Sequence, residues 1–254
     1  MTANRISLFI ITKNEAEHLA KCILSAKPLV HEIIVVDSNS TDRTTAIARN
    51  LGAIIYNHSF EGFTQQKNVA LSKVTSDWAL SLDADETLTP ELAEEIKQAV
   101  TSNEIDGYEL TRVNDFLGKH MRHSGIKKEY LLRLVRTSKA CFKGGLVHEK
   151  LCVEGKTARL KNVFVHHPYK DIETYFNKFN KYTTLAAEQM FNNGRHVNLL
   201  RVLLTVPFEF VRRYIFQLGF LDGMRGLIWA AFAGFYVFVK YMKLWYLWER
   251  KKWD

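Results

Sequence analysis

The chain has 254 residues, 47% of them hydrophobic, with 35 Lys/Arg against 27 Asp/Glu and a formal net charge of +8. That length holds one large α/β domain plus an appendage, and the basic balance points to an anionic partner: nucleic acid, membrane lipid or a phosphorylated substrate. The three cysteines, Cys22, Cys141 and Cys152, stand far apart in no metal or redox pattern, which excludes a cysteine-ligated site and suits a reduced compartment.

In chain order, Ile6–Ile11 is a continuous apolar run and predicts a buried strand. Leu19, Cys22, Ile23 and Ala26 follow at helical spacing. Residues 33–36 predict a second strand ending at Asp37, and Asp42 stands where it can cap a helix closed by Gly52. Residues 53–56 predict a third strand and 64–71 a helix. Residues 78–82 predict a fourth strand ending at Asp83, after which Thr89-Pro90 opens a helix with Pro at its first position. Short β-rich pieces occupy 107–165, and 171–193 is helical. Strand–helix alternation with apolar strands predicts a mostly parallel sheet covered on both faces, with ligands at the carboxyl ends of its strands.

The acids at those ends carry the chemistry. Asp83-Ala-Asp85-Glu86 puts three carboxylates in four positions, a repulsion that a cation offsets. The D-x-D spacing suits a hard divalent metal that keeps open positions for substrate phosphates. The same residues also fit the D-x-D-x-T-L motif of haloacid-dehalogenase-like phosphatases, but on the fourth strand rather than the first and with no late acidic pair. No G-x-G-x-x-G or P-loop is present, which leaves dinucleotide and kinase readings without support.

The order Ile10-Ile-Thr-Lys-Asn-Glu15, Val35-Val-Asp37-Ser-x-Ser40-x-Asp42, Gln66-Lys67-Asn68 and Leu82-Asp83-Ala-Asp85-Glu86 resembles family 2 glycosyltransferases of the GT-A fold. Leu132-Arg-Leu-Val-Arg136, Phe142-x-Gly144, Val147-His148-Glu149, Pro207-Phe-Glu-Phe and Gly219-Phe-Leu-Asp-Gly223 are similar to a subgroup that includes bacterial lipopolysaccharide and lipooligosaccharide inner-core β-glucosyltransferases. The resemblance implies a GT-A catalytic domain over 1–199 and an inverting transfer of glucose from UDP-glucose to an inner-core acceptor, heptose being expected. Transfer to a polyprenyl phosphate or another glycan is the same-fold alternative. A non-catalytic membrane-surface protein on a degenerate nucleotide fold is the alternative of another class. By the same resemblance Thr12, Glu15, Asp37, Lys67 and Asp83 line the nucleotide sugar. Asp85 and one of His166 or His167 bind Mg²⁺ or Mn²⁺, and Glu149 is the general base. His148 orients Glu149 or meets the acceptor. Arg133 and Arg136 sit on one strand, so at most one is expected at the site; Arg136 is the one nominated for it.

Residues 200–254 differ in composition: nine Lys/Arg against four Asp/Glu, and four of the five Trp. The uncharged run 227–239 is shorter than the about 20 residues a spanning helix needs. Basic residues and tryptophans on a C-terminal amphipathic helical region instead predict peripheral attachment to an anionic surface, the cytoplasmic face of the bacterial inner membrane, where a lipid-linked oligosaccharide acceptor would be met. The aromatics stand among Leu, Ile and Val rather than on a polar stacking platform, so nucleic acid is not expected as a partner.

Overall fold

The computed structural model describes residues 4–126, 128–144, 149–169 and 171–253. Two compact units divide the chain: residues 1–113 with 128–167, and residues 114–127 with 168–254. The change in composition at 199/200 lies within the second unit, at the start of a helix that begins at Leu199.

The first unit begins β1 (Ile6–Thr12), α1 (Leu19–Ala26), β2 (Glu32–Asp37), α2 (Thr44–Asn50), β3 (Ile54–Asn57), α3 (Phe63–Ser72) and β4 (Trp78–Ser81). β3, β2, β1 and β4 are parallel neighbours in that order. Their runs are apolar because both faces are covered: Leu8, Ile10, Val35, Trp78 and Leu80 lie in one core cluster, and Phe9, Ile34, Val36 and Ala79 in another. Each such side chain contributes about 1.5–3 kcal/mol of burial.

β5 (Glu86–Leu88), which the sequence pattern did not reveal, follows the acidic cluster, and α4 (Pro90–Ala99) then opens with Thr89 as its cap, accepting from the Leu92 amide. β6 (Gly107–Phe116) runs into the second unit, where β7 (Lys119–His120) pairs with its end. β8 (Glu129–Arg136) pairs antiparallel with β4 and β6. A separate hairpin joins β9 (Ala140–Gly144) and β10 (Glu149–Val153), and β11 (Thr157–His166) pairs antiparallel with β5. The large sheet thus runs β3-β2-β1-β4-β8-β6-β11-β5.

The second unit holds α5 (Ile172–Asn192), α6 (Leu199–Val211), which continues as a π-helical turn over Arg212–Phe216, and α7 (Met224–Arg250). An aromatic cluster of Phe116, Tyr175, Phe179, Trp229 and Phe232 fills its core. α6 and α7 lie close because Gly234 has no side chain: a Cβ there would stand 3.2 Å from the Val206 carbonyl oxygen. α7 is long and apolar enough, by length and composition, to cross a membrane. The expectation of too short a segment counted only the uncharged residues 227–239, whereas the helix continues through Lys240 and Lys243 for 27 residues.

Candidate active site

The carboxyl ends of the parallel strands surround a cavity of about 380 Å³, lined by Thr12, Lys13, Glu15 and Ser38 from the first two strand ends and by Asp83, Asp85 and His166. Phe60 and Phe63, in edge-to-face contact at 5.1 Å, form its apolar wall. Asp37 is not on that wall. It is buried at the end of β2, where its carboxylate accepts from the Thr12 hydroxyl (2.8 Å), the Ser40 amide (2.7 Å) and the Ser40 hydroxyl (2.6 Å). It therefore fixes the loops after β1 and β2 that carry Thr12 and Ser38. Lys13 reinforces them by donating to the Ser38 and Asn39 carbonyl oxygens.

A second cavity, of about 580 Å³, includes Lys67, Asp83, Arg112, Arg133, Glu149 and Lys150 in its lining. Asp83 borders both cavities. Around it an unbroken chain of opposite charges runs through the unit. Lys67 Nζ stands 3.0 Å from Glu149 and 3.0 Å from Asp83. Arg133 Nη2 donates to Asp83 at 2.8 Å and to Glu86 at 2.7 Å. Arg112 pairs with Glu86 at 3.4 Å and with Glu129. Burial opposes ionisation of Asp83, but Arg133 and Lys67 outweigh it and hold the carboxyl well below the usual carboxylate range. For Glu86 burial wins: it pushes the carboxyl up, although Arg133 pulls it back. Burial also pushes up the Cys22 thiol, which donates to the Asp83 carbonyl oxygen.

Lys67, expected to line the nucleotide sugar, stands on the buried face of α3, where an ammonium needs carboxylate partners, and Asp83 and Glu149 supply them on the second cavity's side. Arg136 does not reach the site. β8 is antiparallel to β4, and Arg136 pairs with Trp78 at the end of β4 remote from Asp83. There its guanidinium covers the Trp78 ring at 4.4 Å and donates to the Ser102 carbonyl oxygen. Arg133, three residues nearer the strand ends, is the one that arrives. His148 lies outside the described residues.

The two histidines separate clearly. β11 pairs with β5 so that His166 is opposite Glu86, which brings His166 Nε2 to 3.2 Å from Asp85 Oδ2. His167 Nε2 instead meets the Thr87 hydroxyl at 2.9 Å, and its amide donates to the Asp85 carbonyl oxygen. Among the described residues no three His, Cys, Asp or Glu side chains gather as a complete metal cage. Asp85 and His166 stand side by side on the wall of the first cavity.

A family model described as Glycosyl transferase family 2 matches residues 7–150, which include every strand-end acid of the site. An uncharacterized glycosyltransferase of Rickettsia prowazekii is 30% identical over 94% of this chain and 86% of its own length. The lipopolysaccharide core biosynthesis glycosyltransferase LpsC of Rhizobium meliloti is 30% identical over 94% of this chain and 91% of its own. Among solved structures, S. aureus TarS 1-349 matches 97% of this chain and 92% of that one, at 15% identity and a TM-score of 0.50, a likeness of fold.

Proposed function

The chain belongs to glycosyl transferase family 2, with a GT-A-like fold, and on that premise we propose that it moves glucose from UDP-glucose, with inversion to a β linkage, onto a lipopolysaccharide or lipooligosaccharide inner-core acceptor, heptose being the expected sugar. The single observation that carries the proposal is the place of Asp83, shared by two cavities of different character. The first has polar strand ends and an aromatic wall, suited to a base, a ribose and a diphosphate. The second has Glu149 and suits the acceptor.

Thr12, Lys13 and Glu15 bind the nucleotide in this scheme, and Phe60 and Phe63 offer apolar surface to its flat base. Asp85 and His166 would hold Mg²⁺ or Mn²⁺, which when bound neutralises charge developing on the departing diphosphate. Asp83, held between Lys67 and Arg133, faces the junction where the two substrates meet. Glu149 takes the proton of the attacking hydroxyl, a role that typically contributes on the order of 10²–10⁴ in rate. Lys67 fixes the Glu149 carboxylate at 3.0 Å, so base and donor site share one rigid link. Attack from the second cavity, opposite the leaving diphosphate, inverts the anomeric carbon. Arg112 and Lys150 on that cavity's wall suit an acceptor bearing anionic groups.

The acceptor class is supported by the LpsC relative, and a lipid-linked acceptor places the protein on the cytoplasmic face of the bacterial inner membrane, attached peripherally through residues 200–254. The test is nucleotide release from a panel of UDP- and GDP-sugars with Mn²⁺ or Mg²⁺ and truncated core lipopolysaccharide, with the product's anomeric configuration read by NMR. Acceptor-dependent release from UDP-glucose with a β-linked product is expected. Release from another donor, or an α-linked product, would overturn the donor or the inversion respectively.

A further inference from the structure

α6 is built inside out for a helix in water. On a water-facing helix the charged residues point outward and the apolar stripe inward. Here Leu200, Leu203, Leu204 and Phe208 are 57–63% exposed, while Val206 and Phe210 turn toward α7. Glu209 also stands on the less exposed side and is held there by Arg212 and Arg213. No residue of α6 is fully buried. The exposed apolar surface continues through Ile215 and Phe216 to Leu221 and Met224. An exposed apolar stripe of this kind marks a contact with something apolar.

Charge says what that contact is. The unit that carries α6 has sixteen Lys/Arg against eight Asp/Glu, a net +8, whereas the first unit has nineteen of each. The whole excess charge of the protein therefore lies in the unit that carries the apolar face. At the N-terminal end of α6 a pocket of about 540 Å³ is lined by His196, Val197, Trp245, Trp248, Glu249, Lys251 and Lys252; Glu249 pairs with Lys252 at 2.6 Å, which leaves Lys251 as the cation offered to a ligand. His196 stacks on Trp248 at 4.0 Å, and the Lys251 ammonium lies 5.4 Å from the same indole. Tryptophan with lysine, next to an apolar stripe that begins at Leu199, is the composition of a bilayer's headgroup layer.

We infer that α6 lies in the interfacial layer of an anionic bilayer with the Leu200–Leu204–Phe208 stripe toward the acyl chains, and that the His196–Trp248–Lys251 pocket at its end takes the headgroup of a lipid with net negative charge. The inference rests on the peripheral membrane attachment proposed above and names its face and its lipid chemistry. α6 carries Arg201 and Glu209 and runs directly into Arg212 and Arg213, so it lies along the surface instead of crossing.

The test is co-sedimentation of the full chain with vesicles of equimolar phosphatidylglycerol and phosphatidylcholine, and with phosphatidylcholine alone. Wild type binds the anionic vesicles. Leu200→Glu/Leu204→Glu lowers that binding on the order of a hundredfold. Leu24→Glu/Ile54→Glu, which makes the same charge change at exposed sites of the first unit, leaves it within about fivefold, the weight of its charge alone. Lys251→Gln/Lys252→Gln costs roughly fivefold per charge on anionic vesicles and nothing on neutral ones. If wild type binds neither vesicle, membrane attachment itself is wrong. If wild type binds and the α6 pair binds equally well, attachment stands and α6 is not its face. If the α6 pair keeps its vesicle binding but converts a dimer to a monomer in solution, the face belongs to a second copy of the chain. Equal loss on both vesicle types for the lysine pair overturns the headgroup pocket.

Discussion

Replacing Arg133 by Met tests whether the charge chain around Asp83 holds the site together. Arg133 is 6% exposed, and its Nη2 serves two carboxylates at once, Asp83 at 2.8 Å and Glu86 at 2.7 Å. Methionine fills much of the volume but leaves both acids without that partner. Asp83 keeps Lys67 at 3.0 Å, but the fully buried Glu86 keeps, among the cations of the described residues, only Arg112, at 3.4 Å. Removing one partner of a buried ionic network costs about 3–5 kcal/mol, a large share of the about 5–15 kcal/mol that a domain has. Urea denaturation followed by circular dichroism measures the loss. Arg133→Met/Glu86→Gln removes the stranded charge along with its partner and is expected to recover about half of it, so the two changes are strongly non-additive. Arg133→Lys falls between wild type and Met, because a single ammonium on a shorter reach does not reproduce the guanidinium bridge. A loss below about 1 kcal/mol for Arg133→Met, or strict additivity with Glu86→Gln, would refute the reasoning.

Other consequences are as specific. His166→Ala raises the Mn²⁺ concentration for half-maximal activity by about tenfold or more, whereas His167→Ala, which loses only the Thr87 contact, leaves it nearly unchanged; a titration of activity with metal after chelation reads both. Arg136→Ala leaves UDP binding intact and costs about 1 kcal/mol of stability through the lost Trp78 contact, as calorimetry and denaturation together show. Burial would raise Glu32, but the Ser7 hydroxyl and the Thr75 amide and hydroxyl outweigh it and hold the carboxyl below its ordinary value. A depressed carboxyl contributes stability above its unfolded pKa and loses it as pH falls through the folded one. Glu32→Gln therefore destabilises by about 1 kcal/mol at pH 7, and the difference from wild type vanishes in acid below the carboxylate range.

The parallel half of the sheet was readable because β1, β2 and β4 are buried on both faces and its helices carry explicit punctuation. Thr89-Pro90 is the clearest case, with Thr89 capping α4 as its sequence position predicts. β5 escaped because a three-residue strand inside an acidic turn has no periodicity to detect. The choice between Arg133 and Arg136 turned on strand direction, since β8 folds back antiparallel on β4 and puts residue 136 at the wrong end. Alternation along β8 separates their faces but says nothing of which end meets Asp83. The partners of Lys67 were not legible in sequence, because its pairing from the buried face of α3 depends on the β9–β10 hairpin, which brings Glu149 to it. The outward stripe of α6 follows from the packing of Val206 against Gly234, a contact between residues 28 positions apart in sequence.

The central claim is a division of labour across Asp83, with donor binding on one side and proton removal by Glu149 on the other. Glu149→Gln tests it most directly, with UDP binding in the presence of Mn²⁺ and acceptor-dependent UDP release measured on the same preparation. The account predicts that the affinity for UDP stays within a few-fold of wild type while turnover falls by about 10²–10⁴. Turnover within about tenfold of wild type would contradict it, because the proton would then leave by another group.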